Sequence, residues 1–184
     1  ASRGDKNGAS SAYRSLLDTF GSSYARQAYM GLMQNASDPA AIINYAERLL
    51  SLPDVPAADR RRAELCRAEA LMNAGRLNEA LAALSPLASD MRTAAGGHAA
   101  VMMARIYLQQ NQPSKAEGIM NRFTTDGCDD MRTLAEGYIA LADALQAQNR
   151  RTLAREYLEA LLENYPQADD DIRTNINQRL NKWK

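Results

Sequence analysis

Small and large apolar residues recur along this chain at helical spacing, and one arrangement of them comes back three times. It occupies residues 63–87 (AELCRAEALMNAGRLNEALAALSPL), 99–123 (AAVMMARIYLQQNQPSKAEGIMNRF) and 137–161 (GYIALADALQAQNRRTLAREYLEAL). In each segment a small residue, Ala68, Ala104 or Ala142, is followed three positions later by Leu71, Tyr107 or Leu145, and then by a four-residue polar break. Beyond the break come Ala80, Ala116 or Ala154, a large apolar residue four later (Leu84, Met120, Leu158), and another three after that (Leu87, Phe123, Leu161). Spacings of three and four put each set on one face of a helix, which must be buried. Each segment is therefore predicted to be a helical hairpin. An alanine on both facing helices lets the backbones approach until ridges enter grooves. The breaks 73–76, 110–113 and 148–151 set Gly75, Asn111 and Asn149 where a left-handed helix C-cap is wanted.

The same periodicity, less regular, extends upstream. Residues 24–33 and 40–50 form a further predicted hairpin with Tyr45, Ala46, Leu49 and Leu50 on its buried side. Before it, Tyr13, Leu16, Leu17 and Phe20 share one face and stop at Gly21-Ser22-Ser23. At the other end, Asp169, Asp170 and Asp171 suit the positive N-terminus of a helix on which Ile172, Ile176, Leu180 and Trp183 form an apolar stripe.

The order small, large-apolar, small, large-apolar and terminal proline resembles the tetratricopeptide repeat. The last unit carries it most fully, in Ala142, Leu145, Ala154, Leu158, Leu161 and Pro166. The first helices lack the family's tryptophan, Gly75 is the only turn glycine among the three breaks, and the repeated alanine returns after 36 and then 38 residues, against ~34 for the family. The connections DMRTAAGG and TTDGCDD are expected to absorb the excess. The resemblance implies an all-α, right-handed superhelix (α-solenoid) of about ten antiparallel helices. Residues 1–8 are expected to be a disordered tail and 9–184 one repeat domain. Its parts are the second helix of a truncated repeat (9–21), a degenerate repeat (22–52), three repeats (57–90, 92–125, 129–166) and a capping helix (169–184). A second helix without its first implies further units upstream in a longer protein, of which this chain would be the C-terminal part.

Composition narrows the function. With 46% hydrophobic but only 6% aromatic residues, the chain is rich in helix formers. Twenty-two basic residues balance twenty-two acidic ones, so no overall field favours nucleic acid or an anionic membrane. No apolar run approaches the ~20 residues of a spanning helix. Cys66 and Cys128 make neither a metal spacing nor a disulfide framework. His98 is the only histidine, so no multi-histidine metal site is available. Asp129-Asp130 and Asp169 to Asp171 precede helices, where dipole complementarity accounts for them. Gly96-Gly97 lacks the further glycines and the preceding strand of a phosphate loop. Arg60-Arg61-Arg62 is short and without interleaved aromatics, and reads as a solvated face. Arg3-Gly4-Asp5 is a chance tripeptide in the tail, and Met30, Met33, Met102, Met103 and Met120 are core filler on helical faces. No enzyme, cofactor or metal is implied.

In tetratricopeptide arrays the first helix of each hairpin lines a concave channel. Carried over, the groove positions are Arg62, Leu65, Glu69, Met72 and Asn73; His98, Val101, Arg105, Leu108 and Gln109; and Glu136, Ile139, Asp143 and Gln146. They lack the clustered Lys and Asn with which some family members hold a C-terminal carboxylate. A protein or peptide segment of mixed polarity suits them better, with no nucleic acid and no membrane span. The expected function is thus a non-enzymatic protein-binding scaffold. The alternative is a structural spacer or self-assembly module, associating through its N-terminal helix. The YP, FGSSYA and LLENYP-DDDI-RL runs resemble repeat proteins of the Gram-negative cell envelope, which implies a periplasmic or outer-membrane-associated setting rather than the cytoplasm.

Overall fold

The structure, a computed structural model, describes residues 6–20 and 24–183. Among these are ten α-helices and no strand: α1 Lys6–Phe20, α2 Ala25–Asn35, α3 Pro39–Leu50, α4 Ala57–Asn73, α5 Leu77–Leu84, α6 Ala94–Gln109, α7 Pro113–Asp126, α8 Met131–Ala147, α9 Arg151–Asn164 and α10 Asp170–Lys182. The architecture is an all-α helical repeat, as the periodicity predicts. Residues 1–5, with the Arg-Gly-Asp tripeptide, and the junction at 21–23 lie outside the described residues. Helix α1 begins at Lys6, within the segment expected to be tail.

The polar breaks fold as expected. Gly75, Asn111 and Asn149 have φ of 74°, 56° and 62°, and each closes its helix with the same pair of bonds. Arg76 N–H reaches back to Leu71 O at 2.9 Å and Gly75 N–H to Met72 O at 3.0 Å. The equivalents are Gln112 to Tyr107 and Asn111 to Leu108, then Arg150 to Leu145 and Asn149 to Gln146. A left-handed residue turns two amides back onto carbonyls that the helix end would leave unpaired. Side chains cap three helix starts: Asp38 accepts from Ala40 and Ala41 N–H, Thr93 from Gly96 N–H, and Asp130 from Thr133 N–H and Oγ1.

Where a single repeat domain was expected, the chain divides into two compact units, Ala1–Leu84 and Ser85–Lys184. The boundary falls inside the expected repeat 57–90, after an α5 of only eight residues and just before Pro86 and a 3-10 turn at Leu87–Ser89. In the N-terminal unit each helix packs on the next, α1 on α2 through to α4 on α5. Its core joins Met33, Ala46, Leu49, Val55 and Ala63, with Tyr45 and Leu50 packed half-buried around them. Gly31 of α2 sits under the ring of Tyr13 on α1, and Arg26 of α2 pairs with Asp59 of α4 at 2.5 Å.

In the C-terminal unit α6 packs on α7 and on α8, α8 on α7 and α9, and α10 on both α8 and α9. First helices therefore stack on first helices, as hairpins of a repeat array do. Ala104, Ala116, Ala142 and Ala154 have no exposed surface, as close backbone approach requires. Phe123 on α7 is also fully buried. Its ring lies between two glycines, since a Cβ at Gly97 of α6 would come within 2.8 Å of Cε2 and one at Gly137 of α8 within 2.3 Å of Cε1.

Both expected connections are shorter than the sequence implies. Residues 94–97 of DMRTAAGG are the first turn of α6, and the TTD of TTDGCDD is the last turn of α7. Glycine at 96 is required there: a Cβ would meet Asp90 O at 1.9 Å, so the 3-10 turn can lie against the helix only if that side chain is absent.

Candidate interaction face

The first helices α6, α8 and α10 of the C-terminal unit are tied together by ion pairs. Arg105 of α6 reaches Glu136 of α8 at 3.1 Å, and Arg132 lies 3.6 Å from the same carboxylate. Arg132 continues to α10, pairing with Asp169 at 2.5 Å and, through a second nitrogen, with Asp171. Further along, Arg179 of α10 grips Asp143 of α8 through both oxygens, at 2.7 and 2.8 Å. Such two-pronged pairing suits the planar guanidinium fork and fixes geometry as well as charge.

These contacts shift the titration of their members. Hydrogen bonds to Asp171 and then Asp169 hold the Arg132 guanidinium above its usual range, and Arg132 holds the Asp171 carboxyl below its own. Asp130 is likewise held low by the Thr133 hydroxyl and amide that it caps. The helix-start assignment of Asp169 to Asp171 is therefore incomplete, because Asp169 and Asp171 also receive Arg132 from the preceding first helix. A signal existed in the sequence: Arg132 stands 39 residues before Asp171 and Asp143 stands 36 before Arg179, each about one repeat.

The expected groove positions divide into three groups. Arg105 and Glu136 pair with each other between α6 and α8, and Asp143 pairs with Arg179 of α10. Val101 and Ile139 are corrected: at 0% and 6% exposure they belong to the core between the packed helices, and present nothing to a partner. His98, Leu108 and Gln146 are half-buried and Gln109 exposed. In the N-terminal unit, α4 carries Arg62, Glu69 and Asn73 exposed and Leu65 and Met72 half-buried. The Cys66 thiol beside them is raised by burial and then by Glu69, so it stays protonated and weakly nucleophilic at neutral pH.

Missed from the sequence is a cleft of about 280 Å³ between α8 and α10, lined by Asp143, Gln146, Gln178, Arg179, Lys182 and Trp183. Only Asp143 and Gln146 are among the expected groove positions. The other four lie on the helix that the sequence assigns as a cap.

Comparison with known proteins bears on the same hairpin. Residues 137–168 match the tetratricopeptide repeat family. The match covers most of α8, all of α9 and Pro166, the unit that carries the pattern most fully. With the all-helical architecture it supports a tetratricopeptide-repeat protein, and so a protein–protein interaction module. No curated protein matches the chain. Among the described residues, no group of three or more His, Cys, Asp or Glu is placed to hold a metal, and no helix is long and apolar enough to cross a membrane.

Proposed function

We propose that the chain is a non-enzymatic scaffold that holds a protein segment on the first-helix face of its C-terminal unit. The observation that carries the reading is the division of labour on that face. The charged residues are engaged between helices, in Arg105–Glu136, Arg132–Asp169 and Asp143–Arg179, which makes a preorganised platform. The cleft beside them adds the amides Gln146 and Gln178, Lys182 and the edge of Trp183. Amides can both donate to and accept from an extended backbone, and a rigid face loses little entropy when a segment settles on it. Because the carboxylates are already paired, the occupant needs no strong net charge. An envelope-associated setting completes the proposal, supported by the LLENYP and DDDI runs at the end of the repeat.

The test places a photo-crosslinking residue at Gln178 or Lys182 in the intact natural protein, with Gly118 on the exposed side of α7 as the control. A heterologous partner in stoichiometric yield from the first two sites, reduced by Gln146→Ala with Gln178→Ala, is the expected result. A purely structural spacer gives no such partner, and crosslinks only to further copies would mark a self-assembly module; either result overturns the proposal.

A further inference from the structure

A second cavity, of about 290 Å³, opens on the α8–α9 hairpin. Tyr138, Tyr157, Ala160, Leu161 and Asn164 line it. The two tyrosine rings stand 6.2 Å apart, tilted by 30°. On α9 the lining residues follow a spacing of three, one and three, which is a single stripe. On α8 the stripe runs back from Tyr138 through Leu134, four residues earlier, to Met131, seven earlier. Leu134 is half-buried, and Met131 is 50% exposed, one of the few large apolar side chains so open to water among the described residues. The helices are antiparallel, so the Met131 end of α8 adjoins the Asn164 end of α9. Together they present one apolar strip two turns long.

Charge borders this strip on one side with one sign. Glu156 and Glu163 of α9 each stand one residue from a lining position, both exposed, and neither makes an ion pair among the described residues. The nearby cations are committed elsewhere: Arg155 donates to Leu180 O and Glu159, and Arg132 to Asp169 and Asp171. Arg151 stands a turn and a half further back on α9.

We propose that this strip is a docking site for a basic amphipathic helix of a partner protein. Its bulky apolar side chains fill the Tyr138–Tyr157 cavity and cover Met131, and its Lys or Arg residues lie over Glu156 and Glu163. A helix in an apolar groove uses anchors at this spacing, and charges at the rim set its orientation and choice of partner. The acidic rim repels an anionic membrane surface, which distinguishes a basic protein segment from a lipid. This site is separate from the α8–α10 cleft and does not depend on it.

The test titrates the isotope-labelled chain with a synthetic helical peptide bearing Leu and Trp on one face and Lys on the other, and with its Lys→Glu counterpart. The basic peptide should shift the amides around Tyr138 and Tyr157, the acidic one should not, and added salt should weaken the binding. Ala160→Arg, at an exposed position, and the pair Glu156→Lys with Glu163→Lys should each weaken it about tenfold, with the melting curve unchanged. Both members of the pair are exposed, which keeps the test valid if Ala160→Arg disturbs the fold. Gln146→Ala with Gln178→Ala should leave this binding intact. No binding by either peptide, equal binding by both, an unaltered affinity in the Glu pair, or shifts confined to other helices overturns the proposal. So would concentration-dependent shifts of the same amides without peptide, which would make a second copy the occupant.

Discussion

Replacing Gly137 by alanine tests the packing of the C-terminal unit, because helix propensity and core packing oppose each other at this position. Alanine is the better helix former by ~0.8–1.0 kcal/mol, and Gly137 lies well inside α8. The new methyl, however, would stand 2.3 Å from Cε1 and 2.5 Å from Cδ1 of Phe123, more than an ångström inside the ~3.5–4.0 Å of an ordinary carbon contact. The ring cannot retreat, since it has no exposed surface and its opposite edge already faces Gly97. Overpacking a filled core costs ~1–3 kcal/mol, and an overlap this deep against a wedged ring belongs in the upper half of that range. The net expectation is destabilisation by roughly 1–2 kcal/mol. Urea unfolding followed by circular dichroism measures it. Adding Phe123→Leu, which removes the clashing edge of the ring, should recover much of the loss in a double-mutant cycle, although Phe123→Leu alone is destabilising. A Gly137→Ala chain as stable as the parent, or more so, would refute the reasoning, as would strictly additive effects of the two substitutions.

Gly75→Ala and Gly118→Ala form a matched pair, because a Cβ meets nothing within 4 Å at either site while only Gly75 has a positive φ, of 74°. The first should lose ~1 kcal/mol through backbone strain and the second gain nearly as much from helix propensity, both read by thermal or urea unfolding. The docking of α10 should depend on pH and salt. Arg132 lowers the Asp171 carboxyl, so the stabilisation is complete above the ordinary value near 4 and is lost as pH falls through the lowered one. Trp183, the single tryptophan and buried at the end of α10, reports it: its emission should shift to the red below about pH 4 and in high salt. Arg132→Gln should remove most of that dependence, and an unchanged pH midpoint in this variant would count against the ion-pair clamp.

The sequence by itself determined the helical class, the pairing of helices into hairpins and the turns at Gly75, Asn111 and Asn149, because these depend on neighbours within a few residues. It did not fix every helix end, since α5 stops at Leu84 and leaves Leu87 in a 3-10 turn. Alanines with large apolar residues three and four positions away have only one face to bury, and Gly75, Asn111 and Asn149 tolerate the left-handed conformation that ends a helix. Tertiary structure alone decided what those patterns leave open. Val101 and Ile139 share the helical register of true surface positions, and only the packing of α6 against α8 removes them from solvent. Arg132 and Asp171 are far apart in the chain, so their pairing had to await the stacking of first helices. Gly96 and Gly97 lower helix propensity and read as connection in the sequence, yet they lie in α6 because the 3-10 turn and the ring of Phe123 occupy the space their side chains would need. Local propensity is a preference of about a kilocalorie per residue. A methyl group forced into a filled core costs more than that, so packing overrides propensity wherever the two disagree.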